Sequence, residues 1–218
     1  MPSRTATPDP FGTPALSASL RVLARRGSLQ KLKKGVQLIN EGDSGDAVYI
    51  VLTGRLRVFS ASDDGREVTY GEYGAGETVG ELGLDGGLRS ASVVTTEPTV
   101  CAVVAKQALL SHINDDPAFA LELLNKVIRR VRLARAGLRQ IALNPVYGRL
   151  KDLLERTAQL QADGSRVADP APTHLAMSRT LGCSREMVSR VMKDLQKGRF
   201  LEVSRHRVVI AKPLPDKW

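Results

Sequence analysis

Between residues 182 and 196 the chain reads GCSREMVSRVMKDLQ, and helical spacing puts Arg185, Glu186, Ser189, Arg190 and Lys193 on one side, with Val188, Val191, Met192 and Leu195 on the other. An arginine near the start of a helix lying in the major groove of a duplex reaches guanine O6 and N7 with two parallel hydrogen bonds, and a glutamate accepts from cytosine N4. Glu186 and Arg190 stand one turn apart, and Lys193 follows at the distance of a backbone phosphate. A merely solvated face is the plain alternative, but it gives no reason for an acid among such basic neighbours. The flanking residues agree: Thr173 can cap a short helix ending at Leu181, Gly182 turns the chain, and Val188 lies between the two helices. That arrangement predicts a helix-turn-helix, with the small Ser178 at the closest helix contact. The stretch FLEVSRHRVVIA reads as a hairpin turning near Arg205, where Arg205 and Arg207 can hold phosphates without reading bases.

The rest of the chain must carry and control this end. At 218 residues it is long enough for two modest domains, and a net charge of +9 favours a polyanionic partner. The charge is concentrated: from Thr173 on, cations from Arg179 to Lys217 face only Glu186, Asp194, Glu202 and Asp216. No apolar run approaches the roughly 20 residues that span a bilayer. The N-terminal MPSRTATPDPFGTP has no apolar signal core, so a cytoplasmic protein without a membrane partner is expected. Cys101 and Cys183 lie far apart in patterned segments, which suggests buried structural thiols rather than a disulfide or a metal site.

Residues 1–14, rich in Pro, Ser and Thr, read as a mobile tail, and a short helix is expected from about Leu16 to Arg26. From Val36 to Val104, short apolar runs such as DAVYIVLTG, RLRVFSA and TVCAVV alternate with Gly- and Asp-rich turns, the pattern of a compact β-barrel or sandwich. After Pro117 the period becomes helical: Ala120, Leu124, Val127, Val131, Ala134, Leu138 and Ile141 follow alternating steps of four and three. This heptad seam predicts a homodimer through residues 117–144, with Leu121 and Ile128 on an adjacent stripe able to pack on the barrel. Asn144-Pro145 interrupts the helix and reads as a hinge. VYGRLKDLLERTAQ is a further amphipathic helix, and LQADGSRVADPAP a turn-rich connection.

GCSREMVSRVMKDL resembles the recognition helix of the CRP/FNR transcription regulators, in the branch where Cys-Ser-Arg-Glu-x-Val-x-Arg reads a TGTGA-type half-site. The resemblance extends over nearly the whole chain after the tail. It implies an α+β fold: an N-terminal jelly-roll β-barrel that binds a cyclic nucleotide (residues 15–116), a dimerisation helix (117–144) and a winged helix-turn-helix (145–218). It implies double-stranded DNA and RNA polymerase as partners, with Arg185, Glu186 and Arg190 at the base-reading positions.

Two further stretches, LINEGDSGDAVYIVLTG at 38–54 and VGELGLDGGLRSASVVT at 79–95, resemble the signatures of cyclic-nucleotide-binding domains. By that resemblance Gly80 and Glu81 hold a ribose, and Arg89 and Ser90 a phosphate. The alternative is an internal Glu81–Arg89 salt bridge that only stabilises the loop. Two departures bear on ligand identity. The loop from Leu84 to Arg89 is shorter than in cAMP-binding members, and the Thr-Ser pair that contacts adenine there aligns with Ala134 and Arg135. The helix offers Arg132, Arg135 and Arg139 instead, and arginines stack on purines and grip guanine edges; the alternative is that they only solvate the helix. The expected ligand is therefore a cyclic nucleotide, with cyclic di-GMP placed ahead of cAMP and no metal. Whether ligand promotes or releases DNA binding stays open. Rival readings are a gas or redox sensor, with His112, His174 or His206 on a haem, a ligand-independent regulator, and a nucleotide-processing enzyme. Against an iron–sulfur centre, neither cysteine has neighbouring cysteines; against the enzyme, no metal cluster or nearby histidine base is in sight.

Overall fold

A computed structural model describes residues 9–63, 66–143, 145–162 and 164–216, with backbone alone for 140–143. Expectations placed on residues 1–8, on the Ile141 side chain, on Asn144 and on Lys217 lie outside the described residues. The chain divides into two compact units, Met1–Ser60 with Thr69–Arg130, and Ala61–Val68 with Val131–Trp218.

The first unit is built on two four-stranded sheets, ordered β1-β8-β3-β6 and β2-β7-β4-β5. The strands are β1 (Ser28–Leu32), β2 (Gln37–Ile39), β3 (Val48–Thr53), β4 (Arg55–Ala61), β5 (Glu67–Gly74), β6 (Thr78–Val79), β7 (Ser92–Thr95) and β8 (Thr99–Val104). The run VYIVLT is apolar at almost every position because β3 is covered on both faces. Val48, Ile50 and Leu52 pack with Leu20 and Leu23 of α1 (Ala18–Arg25), while Val51 packs with Leu56, Val79 and Cys101 between the sheets. Each such fully buried aliphatic side chain contributes about 1.5–3 kcal/mol of transfer free energy. Ser17 starts α1, its hydroxyl accepting from the Leu20 N–H at 3.1 Å.

Three elements here were not foreseen. Strands β1 and β6 flank the expected set, and α2 (Lys106–Asp115) precedes the long helix. The buried positions of α2 are Leu109 and His112, so its inward face carries a polar residue and gives a weak apolar period.

Helix α3 (Pro117–Leu143) runs unbroken where the heptad pattern placed it. Phe119 enters the core, but Leu121 and Ile128 do not pack on the sheets as expected; both are exposed. The contact is polar instead. The Ser17 hydroxyl donates to Glu122, Lys126 Nζ donates to Gly76 O at 2.7 Å, and Arg130 Nη2 donates to Thr78 O at 2.6 Å. The sheet surface there offers carbonyls and carboxylates, which lysine and arginine satisfy and leucine cannot. Leu124, Val131 and Leu138 of the seam are left 51%, 51% and 67% exposed in the single chain.

In the second unit α4 (Val146–Thr157), α5 (His174–Leu181) and α6 (Arg185–Lys197) share one core: Leu150 and Leu154, Met177 and Leu181, and Val188, Met192 and Leu195. A four-stranded sheet, β11-β12-β10-β9, covers it. The hairpin of β11 (Leu201–Ser204) and β12 (Arg207–Ile210) turns at Arg205 and His206, as expected. The expected helix through Gln159 ends at Thr157, β9 (Gln159–Leu160) straddles its expected end, and the turn-rich connection contains β10 (Arg166–Ala168); both strands are too short to show an alternation. Among the described residues no helix is long and apolar enough to cross a membrane.

Candidate ligand pocket and nucleic-acid interface

The loop from Asn40 to Ala47 and the 3-10 helix Glu81–Asp85 meet around Arg89. Arg89 is buried, and its guanidinium donates to two main-chain carbonyls, Gly80 O at 2.7 Å and Ala47 O at 2.9 Å. Its own backbone is held as well, N–H to Asp43 O and C=O from Gly42 N, both at 2.8 Å. Glycine is required at Gly80 and fits closely at Gly45. Gly80 has φ +90°, and a Cβ on it would lie 2.8 Å from Arg89 Nη1; a Cβ on Gly45 would lie 3.1 Å from Nη2. A cleft of about 220 Å³ opens beside the guanidinium, lined also by Asn40, Asp43, Ser44, Asp46 and Tyr49. Two of the five guanidinium N–H groups are spent on carbonyls, and the others can serve an anion. Ser90 is exposed at the end of the same loop.

Among the described residues Glu81 does not pair with Arg89. Its buried carboxylate takes a short hydrogen bond from Arg130 Nη1 of α3. Arg130 also reaches Glu77 Oε2 at 3.4 Å and lies 4.5 Å over the Tyr73 ring. Burial is the main cause holding the Tyr73 hydroxyl above the ordinary phenol pKa, with Arg130 opposing it and Glu81 and Glu77 adding to it. Among the described residues three buried polar atoms in this cluster lack a partner: Thr78 Oγ1, Glu81 Oε2 and Arg130 Nε. A carboxylate oxygen in that state accepts from a ligand hydroxyl at the cost of no existing bond. Sequence reasoning missed Arg130. The signal that could have found it is the polar stripe Glu122, Lys126, Arg130 at steps of four along an otherwise apolar helix. Arg132, Arg135 and Arg139 are exposed on the part of α3 that belongs to the second unit.

The helix-turn-helix is laid out as its residues predicted. Thr173 caps α5 through Ala176 N at 3.1 Å, and Gly182 closes it at φ 64°. Ser184 caps α6 through Met187 N at 3.1 Å. Ser178 is buried between the helices. Arg185, Glu186, Arg190 and Lys193 are exposed together on α6 and make no ion pair among the described residues. Ser189 differs: it is half-buried, and its hydroxyl lies 2.9 Å from His174 Nδ1. Arg205 and Arg207 are exposed at the hairpin.

Of the other two histidines, His112 is packed and His206 is exposed at the hairpin turn. His112 is buried, 2.9 Å from the Ser19 hydroxyl and edge-on to Phe119, and the His206 carbonyl accepts from Ala171 N. Burial pushes the Cys101 thiol up to about 12 and that of Cys183 above its ordinary range. No group of three His, Cys, Asp or Glu side chains could hold a metal ion among the described residues.

Comparison with known proteins assigns both regions. Residues 29–116 match the cyclic nucleotide-binding domain family, and residues 148–213 the Crp-like helix-turn-helix domain family. A CRP-like cAMP-activated global transcriptional regulator of Mycobacterium tuberculosis is 28% identical over 182 residues, 82% of this chain and 81% of that protein. The cAMP-activated global transcriptional regulator CRP of Haemophilus influenzae is 27% identical over 84% of this chain and 83% of its own. Among solved structures, the c-di-GMP-responsive global regulator CLP of Xanthomonas campestris superposes with a TM-score of 0.79 at 21% identity, covering 89% of this chain and 98% of its own.

Proposed function

The chain belongs to the CRP/FNR family of cyclic-nucleotide-responsive, DNA-binding transcription regulators, and on that premise we propose that it acts as a cytoplasmic homodimer whose grip on TGTGA-like half-sites is set by cyclic di-GMP ahead of cAMP. Family membership makes it a regulator rather than an enzyme. The observation that carries the ligand reading is the group of unpartnered buried atoms on Thr78, Glu81 and Arg130, joined through Gly80, which precedes Glu81 and whose carbonyl accepts from Arg89, to the residue that lines the cleft. In this reading Gly80 and Glu81 take the ribose, Arg89 and Ser90 the phosphate, and Arg132, Arg135 and Arg139 the base from the dimer helices. The arginines favour a guanine base, since they supply the two-pronged donors that its O6 and N7 accept. The cAMP-activated relatives support the second choice, and the c-di-GMP-responsive structural neighbour the first.

In this reading the sensor spans 15–116, the dimerisation helix 117–144 and the DNA-binding region 145–218; the family matches over 29–116 and 148–213 support the first and the last. The exposed Leu124, Val131 and Leu138 supply the dimer contact, since an apolar stripe of this length on a soluble helix calls for a partner surface. Ligand contact with the sensor and the dimer helices favours one arrangement of the pair over another. In that arrangement two α6 helices stand about 34–36 Å apart, one turn of the duplex. Arg185, Glu186 and Arg190 then read base edges, and Lys193, Arg205 and Arg207 hold phosphates; RNA polymerase is the further partner.

Calorimetry of the purified protein against a panel of cyclic mono- and dinucleotides tests the ligand. Saturable binding of cyclic di-GMP that is lost in Glu81→Gln and weakened in Arg135→Ala is the expected result. Unchanged cyclic di-GMP binding in Arg135→Ala would remove the dimer-helix arginines from the site.

A further inference from the structure

Ser189 occupies the same face of α6 as the base-reading side chains, yet its hydroxyl is already engaged, 2.9 Å from Nδ1 of His174, the first residue of α5. His174 is half-buried, and its other nitrogen, Nε2, makes no hydrogen bond among the described residues. We propose that His174, clamped by Ser189 beside the recognition face, is a proton-dependent contact to the DNA backbone, so that affinity for duplex rises as pH falls. The proposal rests on the reading of α5 and α6 as the DNA-binding pair.

The hydrogen-bond logic is restrictive. When the Ser189 hydroxyl donates to Nδ1, the proton of the neutral ring sits on Nε2; when the ring is doubly protonated, Nδ1–H donates to the hydroxyl and Nε2–H remains. A third arrangement, the neutral ring with Nδ1–H donating to the hydroxyl, leaves Nε2 an acceptor, so only the doubly protonated ring presents a donor at Nε2 whichever way the serine bond runs. Serine thus orients the ring, and protonation fixes an N–H toward an acceptor outside. The acceptor that a recognition helix brings to this place is a phosphate oxygen, and an adjacent anion favours the protonated ring.

The charged groups around the ring leave it no protein carboxylate to pair with among the described contacts. Within one helical turn of Ser189, α6 carries Arg185, Arg190 and Lys193, with Glu186 the only acid. Its own helix carries Arg179, which is paired with Glu67 at 3.0 Å, and α4, the other helix packed on α5, brings Arg149 close to Cys183 in the turn between α5 and α6. Cations thus outnumber acids on the α6 turn that faces the ring, and a phosphate would add an anion there; an anion beside Nε2 favours the charged ring, which links DNA binding to proton uptake.

The test measures affinity by fluorescence anisotropy on a duplex with two inverted TGTGA half-sites and on a scrambled duplex. Measurements run at pH 6.0 and 8.0, with whichever of no nucleotide, cAMP or cyclic di-GMP gives the tightest complex. Wild type is expected to bind about 3- to 10-fold tighter at pH 6.0, within the roughly 100-fold that a single linked proton allows over two pH units. His174→Gln should flatten that response, and at pH 6.0 it should lower the salt-dependence slope by about 0.9, one phosphate contact. His174→Arg should bind tightly at both pH values, and Ser189→Ala, which frees the ring, should shrink the response. His206→Gln, altering the hairpin histidine, should keep it. Equal thermal melting of all variants establishes that they are folded. Wild-type curves that coincide at the two pH values, or a response that survives in His174→Gln, overturn the proposal. If no variant distinguishes the two duplexes at either pH, the DNA-reading premise falls and the proposal with it.

Discussion

Replacing Arg130 by methionine removes the cation that faces Glu81 while keeping most of the side-chain volume. The two side chains are 17% and 8% exposed, so the carboxylate left behind is buried without a counter-charge. Removing one partner of such a pair costs about 3–5 kcal/mol, and the residual exposure of Arg130 places this case near 3 kcal/mol. Lost with it are the donor to Thr78 O at 2.6 Å and the cation over Tyr73 at 4.5 Å. For a chain of this size the change lowers Tm by about 6–12 °C at 2–4 °C per kcal/mol. Pairing Arg130→Met with Glu81→Gln removes both charges, and the double variant should recover at least about 2 kcal/mol of the loss. Urea unfolding of the four proteins followed by circular dichroism gives the coupling energy directly. A single Arg130→Met variant within 0.5 kcal/mol of wild type, or a coupling below about 0.5 kcal/mol, would refute the role given to the pair.

Gly80→Ala places a Cβ against Arg89 Nη1 at a left-handed backbone position and should cost about 1–2 kcal/mol, with nucleotide affinity falling in calorimetry. Charged substitutions in the exposed seam, Leu124→Lys with Val131→Glu, should shift sedimentation from dimer to monomer while leaving the melting of the sensor unit in place. The raised Cys101 pKa, about 12, means that its stabilising effect is complete below the ordinary thiol range and is lost as pH rises through 12. In folded protein at pH 8 iodoacetamide should therefore leave Cys101 unmodified, as mass spectrometry of the digested protein would show. Arg185→Ala and Glu186→Ala should each lose about 1–3 kcal/mol of discrimination between the TGTGA duplex and single-base variants, measured by competition.

The features that sequence reading recovered are those carried by repetition or by side-chain chemistry with a fixed geometry. The heptad from Ala120 to Leu138 repeats often enough to define a helix and its apolar face, and α3 follows it. Thr173 and Gly182 act as cap and turn because their local conformations demand such residues, while the cap at Ser184 was not foreseen. What escaped lacks both properties. Strands β9 and β10 are too short to alternate, and the inward face of α2 includes His112. Helix α3 meets the sheets through Glu122, Lys126 and Arg130, whereas the expectation of an apolar contact pointed to Leu121 and Ile128. The site shows the same division. Glu81 and Arg89 are legible as a carboxylate and a guanidinium in one short stretch, but their partners are not. Arg89 turns to the carbonyls of Gly80 and Ala47, and Glu81 to an arginine 49 residues away. Tertiary partners of this kind leave no periodic trace, so only the polar stripe on α3 hints at them.

The central claim is that a small cyclic nucleotide in the sensor unit governs how tightly α6 holds a duplex. Anisotropy titration of a labelled duplex with two inverted TGTGA half-sites, without nucleotide and with saturating cyclic di-GMP or cAMP, measures this coupling directly. The account predicts that one nucleotide shifts the dissociation constant at least about 5-fold, the lower end of ordinary allosteric coupling, and that Glu81→Gln abolishes the shift. Superimposable curves under all three conditions, from protein that still binds the duplex, would contradict it.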